Sequence, residues 1–103
     1  MSPTIAVAIG EGIATLTLNR PDKFNALDDV MARDLNRVTG ELADNEGVRC
    51  VVLTGAGGNF QAGGDIEYFR AGLEHDAASR KSEIHAIIEE VHGAITNIRT
   101  MPK

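Results

Sequence analysis

Val48-Arg49-Cys50-Val51-Val52-Leu53-Thr54, followed by Gly55-Ala56-Gly57-Gly58-Asn59-Phe60-Gln61-Ala62-Gly63-Gly64-Asp65-Ile66, is the stretch from which the architecture of this chain is read. Its first part is a nearly continuous apolar run bounded by turn residues, the pattern of a strand buried on both faces as in a parallel sheet. Cys50, flanked by Val51, Val52 and Leu53, is then expected to be a buried thiol. The second part holds five glycines between Gly55 and Gly64. Its backbone is free to take positive φ and to let another group approach closely.

Upstream, Ile5, Val7 and Ile9 alternate with small residues, Gly10-Glu11-Gly12 supplies a turn, and Ala14, Leu16 and Leu18 alternate with Thr15 and Thr17, which predicts a β-hairpin. Asn19 to Asn25 forms a loop, because Pro21 lacks an amide donor and Asn and Asp favour local turn bonds. Leu27, Met31, Leu35, Val38 and Leu42 then recur at helical spacing, with Asp28 placed to cap, so a helix is expected from about Asp28 to Ala43. Downstream, Arg70 to Ser82 lacks a clear period and reads as a mobile surface connection with one frayed helical turn. The stripe Ile84, Ile87, Ile88, Val91, Ile95, Ile98 predicts a second long helix from about Ser82 to Arg99, ended by Pro102. Residues 1–103 thus make one α/β unit with at least one crossover and too few strands for a closed core.

The composition narrows the partners. With 15 acidic and 10 basic residues the net charge is −5, which disfavours broad attraction to nucleic acid or to anionic membranes. A single cysteine builds no disulfide framework and fits a reducing cytoplasm. Met1 to Ile9 does not carry a secretory signal pattern, and no stretch is long and apolar enough to span a bilayer.

A glycine loop after a buried strand first raises nucleotide binding. Here the pattern fails: a dinucleotide fingerprint anchored at Gly55 and Gly57 needs glycine where Phe60 stands, and no G-K-[ST] follows. The other use of such a loop is to present amides at the start of a helix, through Ala62-Gly63-Gly64-Asp65-Ile66. Amides there lack intrahelical acceptors and stabilise an oxygen that gains negative charge, as an acyl oxygen does when a thioester becomes enolate-like. Gly64 is the best candidate for that donor. Asp65 is placed to cap the helix, whereas Glu67 and Glu74 read as solvated surface carboxylates. His85, Glu89 and His92 share one helical stripe, but without further ligands they do not make a metal motif.

Three segments, Asn19-Arg20-Pro21-x-x-x-Asn25-Ala26-Leu27, Val48 to Gly55, and Phe60-Gln61-Ala62-Gly63-Gly64-Asp65-Ile66, resemble in order and spacing the N-terminal landmarks of the enoyl-CoA hydratase/isomerase (crotonase) family. The resemblance implies a spiral of ββα units, of which residues 1–103 would be the N-terminal part, assembled into homo-oligomeric trimers or paired trimers. It implies an acyl-CoA thioester as substrate, coenzyme A being part of that substrate and no separate cofactor being needed. By motif position Gly64 would donate one of two oxyanion-hole amides. Lys23, Phe24 and Ala26 would lie beside the coenzyme A nucleotide, and Ala62, Gly63, Asp65 and Ile66 along the adenine and pantetheine path, mostly through backbone atoms. Lys23 and Arg20 are the cations available to a polyanionic ligand on an acidic protein. The second amide and the acid/base glutamates of hydratases would lie beyond Lys103. Hydration of 2-enoyl-CoA is the expected reaction of the complete protein. Isomerisation or another acyl-CoA reaction, and a binding or assembly module without turnover, stay open beside it.

Overall fold

Alternation on either side of Gly10-Glu11-Gly12 produces the expected hairpin. In the computed structural model, which describes residues 3–103, β1 (Ile5–Gly10) and β2 (Ile13–Leu18) pair antiparallel, Ile5 opposite Leu18 and Gly10 opposite Ile13. The connecting Glu11 and Gly12 both take positive φ, 54° and 81°, the turn geometry whose twist matches that of the flanking strands. Ala14, Leu16 and Leu18 point to one face and are fully or almost fully buried there.

That face is covered by α1 (Asp29–Asp44), whose Asp28 cap accepts a hydrogen bond from the Met31 amide at 2.9 Å. The apolar stripe of α1 supplies Met31, Val38 and Leu42 to a core shared with Ile5, Ala14, Leu16, Leu18 and Val48. The chain then returns as β3 (Cys50–Gly55), parallel to β2 with Leu53 opposite Leu16, giving the sheet order β1-β2-β3. Hairpin, helix and parallel strand make one ββα unit with its crossover.

β3 departs from expectation in burial. Among the described residues it has a ladder on one side only and joins the core through Val51. Val52 and Leu53 are 43% and 38% exposed, and Cys50 is an exposed free thiol. A continuous apolar run marks a parallel strand correctly, but burial on two faces needs layers on both sides of the sheet, and α1 supplies one.

The segment Arg70–Ser82 is also more ordered than expected. It holds the end of α2 (Ile66–Gly72) and the start of α3 (Ala77–Thr100), which begins at Ala77 rather than Ser82. Asp76 caps α3 by accepting from the Ser79 amide at 2.7 Å, and the Arg80 guanidinium donates to the His75 carbonyl at 2.6 Å. Alanine, serine, arginine and lysine extend a helix without an apolar period, so periodicity does not register this first turn.

α3 packs against α1 through a polar seam. Asn97 donates from Nδ2 to the Asn36 carbonyl (3.1 Å) and to Thr39 Oγ1 (3.1 Å), while Asn36 donates to Glu90 at 2.8 Å. Ala94 is fully buried, and a Cβ on Gly93 would stand 2.6 Å from Asn36 Oδ1, so the helices approach closely there. The isoleucine stripe is largely outside this contact: Ile87 is buried, whereas Ile84, Ile88, Ile95 and Ile98 are exposed. Lys103 closes the unit by donating to the carbonyls of Leu42 and Asn45 at the C-terminus of α1, where a cation suits the negative end of the helix.

Candidate functional site

The glycine loop and the Asn19–Leu27 loop are pressed together above the C-terminal end of β3. Pro21–Lys23 forms a 3-10 turn, after which Phe24 and Asn25 take positive φ of 54° and 60°. Asn25 tolerates that region better than most residues. Its side chain, with no exposed surface, accepts from the Arg20 amide (2.8 Å) and donates to the carbonyls of Ala56 (3.0 Å) and Asn59 (2.9 Å). One amide side chain therefore clamps the two loops. At Gly55 a Cβ would lie 2.2 Å from the Asn59 carbonyl oxygen, a backbone contact that no rotamer relieves.

Gly64 lies on a short bridge between these loops. Leu27 donates to the Gly63 carbonyl at 2.7 Å and accepts from the Asp65 amide at 2.8 Å, forming a parallel bridge with Gly64. In such a bridge both polar groups of Leu27 point at the partner segment, while the N–H and C=O of the opposed residue, Gly64, point away. Accordingly the exposed Gly64 donates no hydrogen bond to the protein among the described residues. This corrects the origin of the free amide. The cap of α2 is Asp65, so Gly64 precedes the helix, and the first-turn amides of Glu67 and Tyr68 are taken by Asp65 Oδ1 at 2.9 and 3.2 Å. The bridge, and not the helix end, aims the Gly64 N–H outward.

The charged residues sort into two groups. Arg20 is largely buried: its guanidinium donates to the Ala26 carbonyl and to Asp65 Oδ2 at 2.9 Å, with Asp28 Oδ2 at 3.5 Å. It is therefore engaged inside the loop pair rather than presented to a ligand. Asp65 is buried too. Burial raises its pKa, but the Arg20 hydrogen bond, the Tyr68 amide, the charge of Arg20 and the Glu67 amide together hold the carboxyl below its ordinary value. Lys23 is the outward cation, and its ammonium donates to the exposed Glu67 at 2.8 Å. That hydrogen bond first, and then the Glu67 charge, raises the Lys23 pKa. Glu67 is solvated as expected, but it has a partner.

The other candidate residues cluster around the same loops. Phe24 and Ile66 are 60% and 78% exposed, and Ala62 is exposed with its amide donated to the Phe24 carbonyl at 3.0 Å. Ala26 is buried, its amide donated to Lys23 and its carbonyl held by Arg20. Gly63, at φ 99°, gives its carbonyl to Leu27 and to Gln61 Nε2. Asp65 has its amide and carboxylate, and also its carbonyl (accepting from Phe69), bonded within the chain. Glu74 is exposed in the turn before α3, and His85 and Glu89 stand 3.6 Å apart on its exposed face. No metal-binding cluster of three side chains occurs among the described residues.

A family model described as enoyl-CoA hydratase/isomerase matches residues 13–103. The chain belongs to the enoyl-CoA hydratase/isomerase family. Within the family it is 43% identical over 68 residues to the hydroxycinnamoyl-CoA hydratase-lyase of Pseudomonas fluorescens, covering 65% of this chain and 25% of that protein. It is 40% identical over 58 residues to the 1,2-epoxyphenylacetyl-CoA isomerase of Escherichia coli, covering 56% of this chain and 22% of that protein. An enoyl-CoA hydratase structure from Mycobacterium smegmatis aligns with a TM-score of 0.82 at 34% identity, covering 98% of this chain and 37% of that one. The fold is thus crotonase-like, and the chain spans about a quarter of the length of these two curated relatives.

The free amide also has neighbours that the motifs alone do not indicate. The Phe69 ring stands 2.6 Å from where a Gly64 Cβ would be, forming an apolar wall beside the free amide. It continues into a groove of about 190 Å³ between α2 and α3, lined by Tyr68, Phe69, Leu73, Arg80, Glu83 and Ile84. Burial, and then the charges of Asp29 and Glu83, raise the Tyr68 pKa. The available sequence signal was the pair of aromatics three and four residues after the Asp65 cap, in a segment whose helix is too short to show a period.

Proposed function

We propose that this chain is the acyl-CoA-binding, oxyanion-donating part of its family's fold, and that the complete protein hydrates 2-enoyl-CoA thioesters. The observation that carries this reading is the Gly64 N–H, bridged outward by Leu27 beside the Phe69 ring. A thioester carbonyl set against that amide would be polarised as negative charge builds on its oxygen, with the acyl portion directed to the apolar groove. Lys23 would exchange Glu67 for a phosphate of coenzyme A, and Phe24, Ala26, Ala62, Gly63, Asp65 and Ile66 would border the nucleotide and pantetheine. Coenzyme A enters as part of the substrate. The second amide and the glutamates that direct water are proposed to lie outside residues 1–103. Homo-oligomeric assembly as a trimer or hexamer and a cytoplasmic location belong to the same proposal. Isomerisation is the second reading, favoured by the isomerase among the relatives, and it uses the same first half.

Calorimetry with acetyl-CoA and with NAD tests the ligand class. Acetyl-CoA is expected to bind the assembled protein, and tight NAD binding without an acetyl-CoA response overturns the proposal. For the reaction, crotonyl-CoA absorbance should stay constant with residues 1–103 alone and fall once the remaining part is added. Turnover by residues 1–103 alone would refute the placement of the acid/base groups elsewhere.

A further inference from the structure

The Gly64 amide is aimed by a bridge only three residues deep on one side, Gly63, Gly64 and Asp65, against Leu27 alone on the other. So short a bridge has little cooperativity of its own, and something must hold its two segments at hydrogen-bonding distance. The backbone bond from the Ala62 amide to the Phe24 carbonyl joins the same loops further upstream, and among the described residues one side chain hydrogen-bonds immediately beside the bridge on both segments. One guanidinium nitrogen of Arg20 donates to the carbonyl of Ala26, the residue before Leu27, and another donates at 2.9 Å to Asp65, the residue after Gly64. The backbone of Arg20 is itself fixed, its amide donating to Asn25 Oδ1 and its carbonyl accepting from Lys23 and Asn25.

We propose that Arg20 is the positioning residue of the Gly64 amide, setting the separation of the two bridge segments and so the direction of that N–H. The planar guanidinium fork suits this task because it presents several donors in fixed geometry, whereas a lysine offers one point charge. Asp65 serves as the other half of the brace: Oδ2 receives Arg20 while Oδ1 caps α2. Removing the guanidinium leaves a buried carboxylate without its cation, and such a group rotates toward water or takes up a proton, in either case loosening the Asp65–Leu27 bond. The consequence for turnover rests on the proposed acyl-CoA role of Gly64, but the brace itself does not.

The test has two arms, both on the full chain in its assembled form. In the first, amide hydrogen exchange is measured without ligand for wild type, Arg20→Gln and Asp65→Asn. The Asp65→Asn variant keeps a capping oxygen and replaces the charged acceptor facing Arg20 by a neutral donor, so it breaks the brace from its other side and covers the case in which Arg20→Gln fails to fold. Exchange at the Leu27 and Asp65 amides should rise about tenfold or more, with the Ala14 and Leu16 amides of β2 unchanged. Exchange at Leu27 and Asp65 within about twofold of wild type in both variants overturns the proposal. So does a uniform rise across β2 in both, which marks a merely structural role. In the second arm, acetyl-CoA labelled with 13C at the thioester carbonyl is bound and its stretching frequency read by infrared difference. Wild type should lower the frequency, and Arg20→Gln should lose that shift with affinity held within about threefold. If Arg20→Gln keeps the shift but weakens binding in a salt-dependent way, Arg20 is a phosphate cation and the proposal falls. If wild type binds no acetyl-CoA, the functional reading of Gly64 falls instead, and the exchange arm still decides the role of Arg20.

Discussion

Replacing Asn25 with alanine takes away a fully buried side chain that bonds to three different backbone groups. The Arg20 amide loses its acceptor, and the carbonyls of Ala56 and Asn59 lose their donor. Each neutral hydrogen bond contributes about 1 kcal/mol net, and holding alanine at the φ of 60° found here costs about another 1 kcal/mol, so the expected loss is about 4 kcal/mol. Set against the usual stability of a small domain, about 5–15 kcal/mol, that is a large fraction. In melting temperature it corresponds to a fall of about 20 °C for a chain of this size. Thermal unfolding followed by far-ultraviolet circular dichroism measures it. Asn25→Gly separates the two contributions, since glycine loses the same bonds but accepts the backbone conformation, and it should be about 1 kcal/mol milder than alanine. An alanine variant within about 1 kcal/mol of wild type would refute the claim that this amide clamps the loops.

Lys23→Ala should weaken acetyl-CoA binding about threefold at low salt and less at high salt, and Glu67→Gln should strengthen it by releasing Lys23; calorimetry at two ionic strengths checks both, and equal low-salt affinities would remove Lys23 from the site. Gly64→Pro removes the free N–H and should lower turnover of the complete protein about 100-fold, unless another amide is the donor, in which case a folded proline variant keeps full turnover. Its control, Gly64→Ala, retains the amide but sets a Cβ 2.6 Å from the Phe69 ring, so it is best read beside Gly64→Ala combined with Phe69→Ala. For Asp65 the folded carboxyl titrates below its ordinary 3.8, so its stabilising contribution is complete above the unfolded value and is lost as pH falls through the folded one. Urea unfolding of wild type and Asp65→Asn at neutral pH and in acid should therefore show a gap that narrows in acid. Taking the difference between the variants removes Asp76, which titrates in the same direction.

Much of the fold was legible because the local signals agree with the tertiary outcome. The alternation through Ile5–Leu18 and the stripe from Met31 to Leu42 under an Asp28 cap appear where period and capping place them. Burial of β3 was not legible, since an apolar run reports compatibility with a covered position and says nothing of which layers are present. Nor was the early start of α3, where Ala77 to Lys81 are good helix formers without an apolar face. At the site, the motif singles out Gly64 as a candidate, but the reason its amide is free is not legible there. The bridge to Leu27 joins segments 37 residues apart (64 − 27), beyond any local pattern. Arg20 illustrates the same limit. An arginine in a polar loop reads as a solvated cation until Ala26 and Asp65 are seen to close around it.

The seam between α1 and α3 gives those two helices a single docking register. Amide pairs are directional, so a slip of α3 by one turn, about 5.4 Å, would strand Asn97 away from Asn36 and Thr39 and move Gly93 off the crowded Asn36 side chain. Because alignment is set by Asn36, Thr39, Glu90 and Asn97, the exposed isoleucines at 88, 95 and 98 are released from that task. They form an interchangeable surface, one that sequence drift or an engineer can rewrite to suit a different neighbour while the helix beneath stays in place.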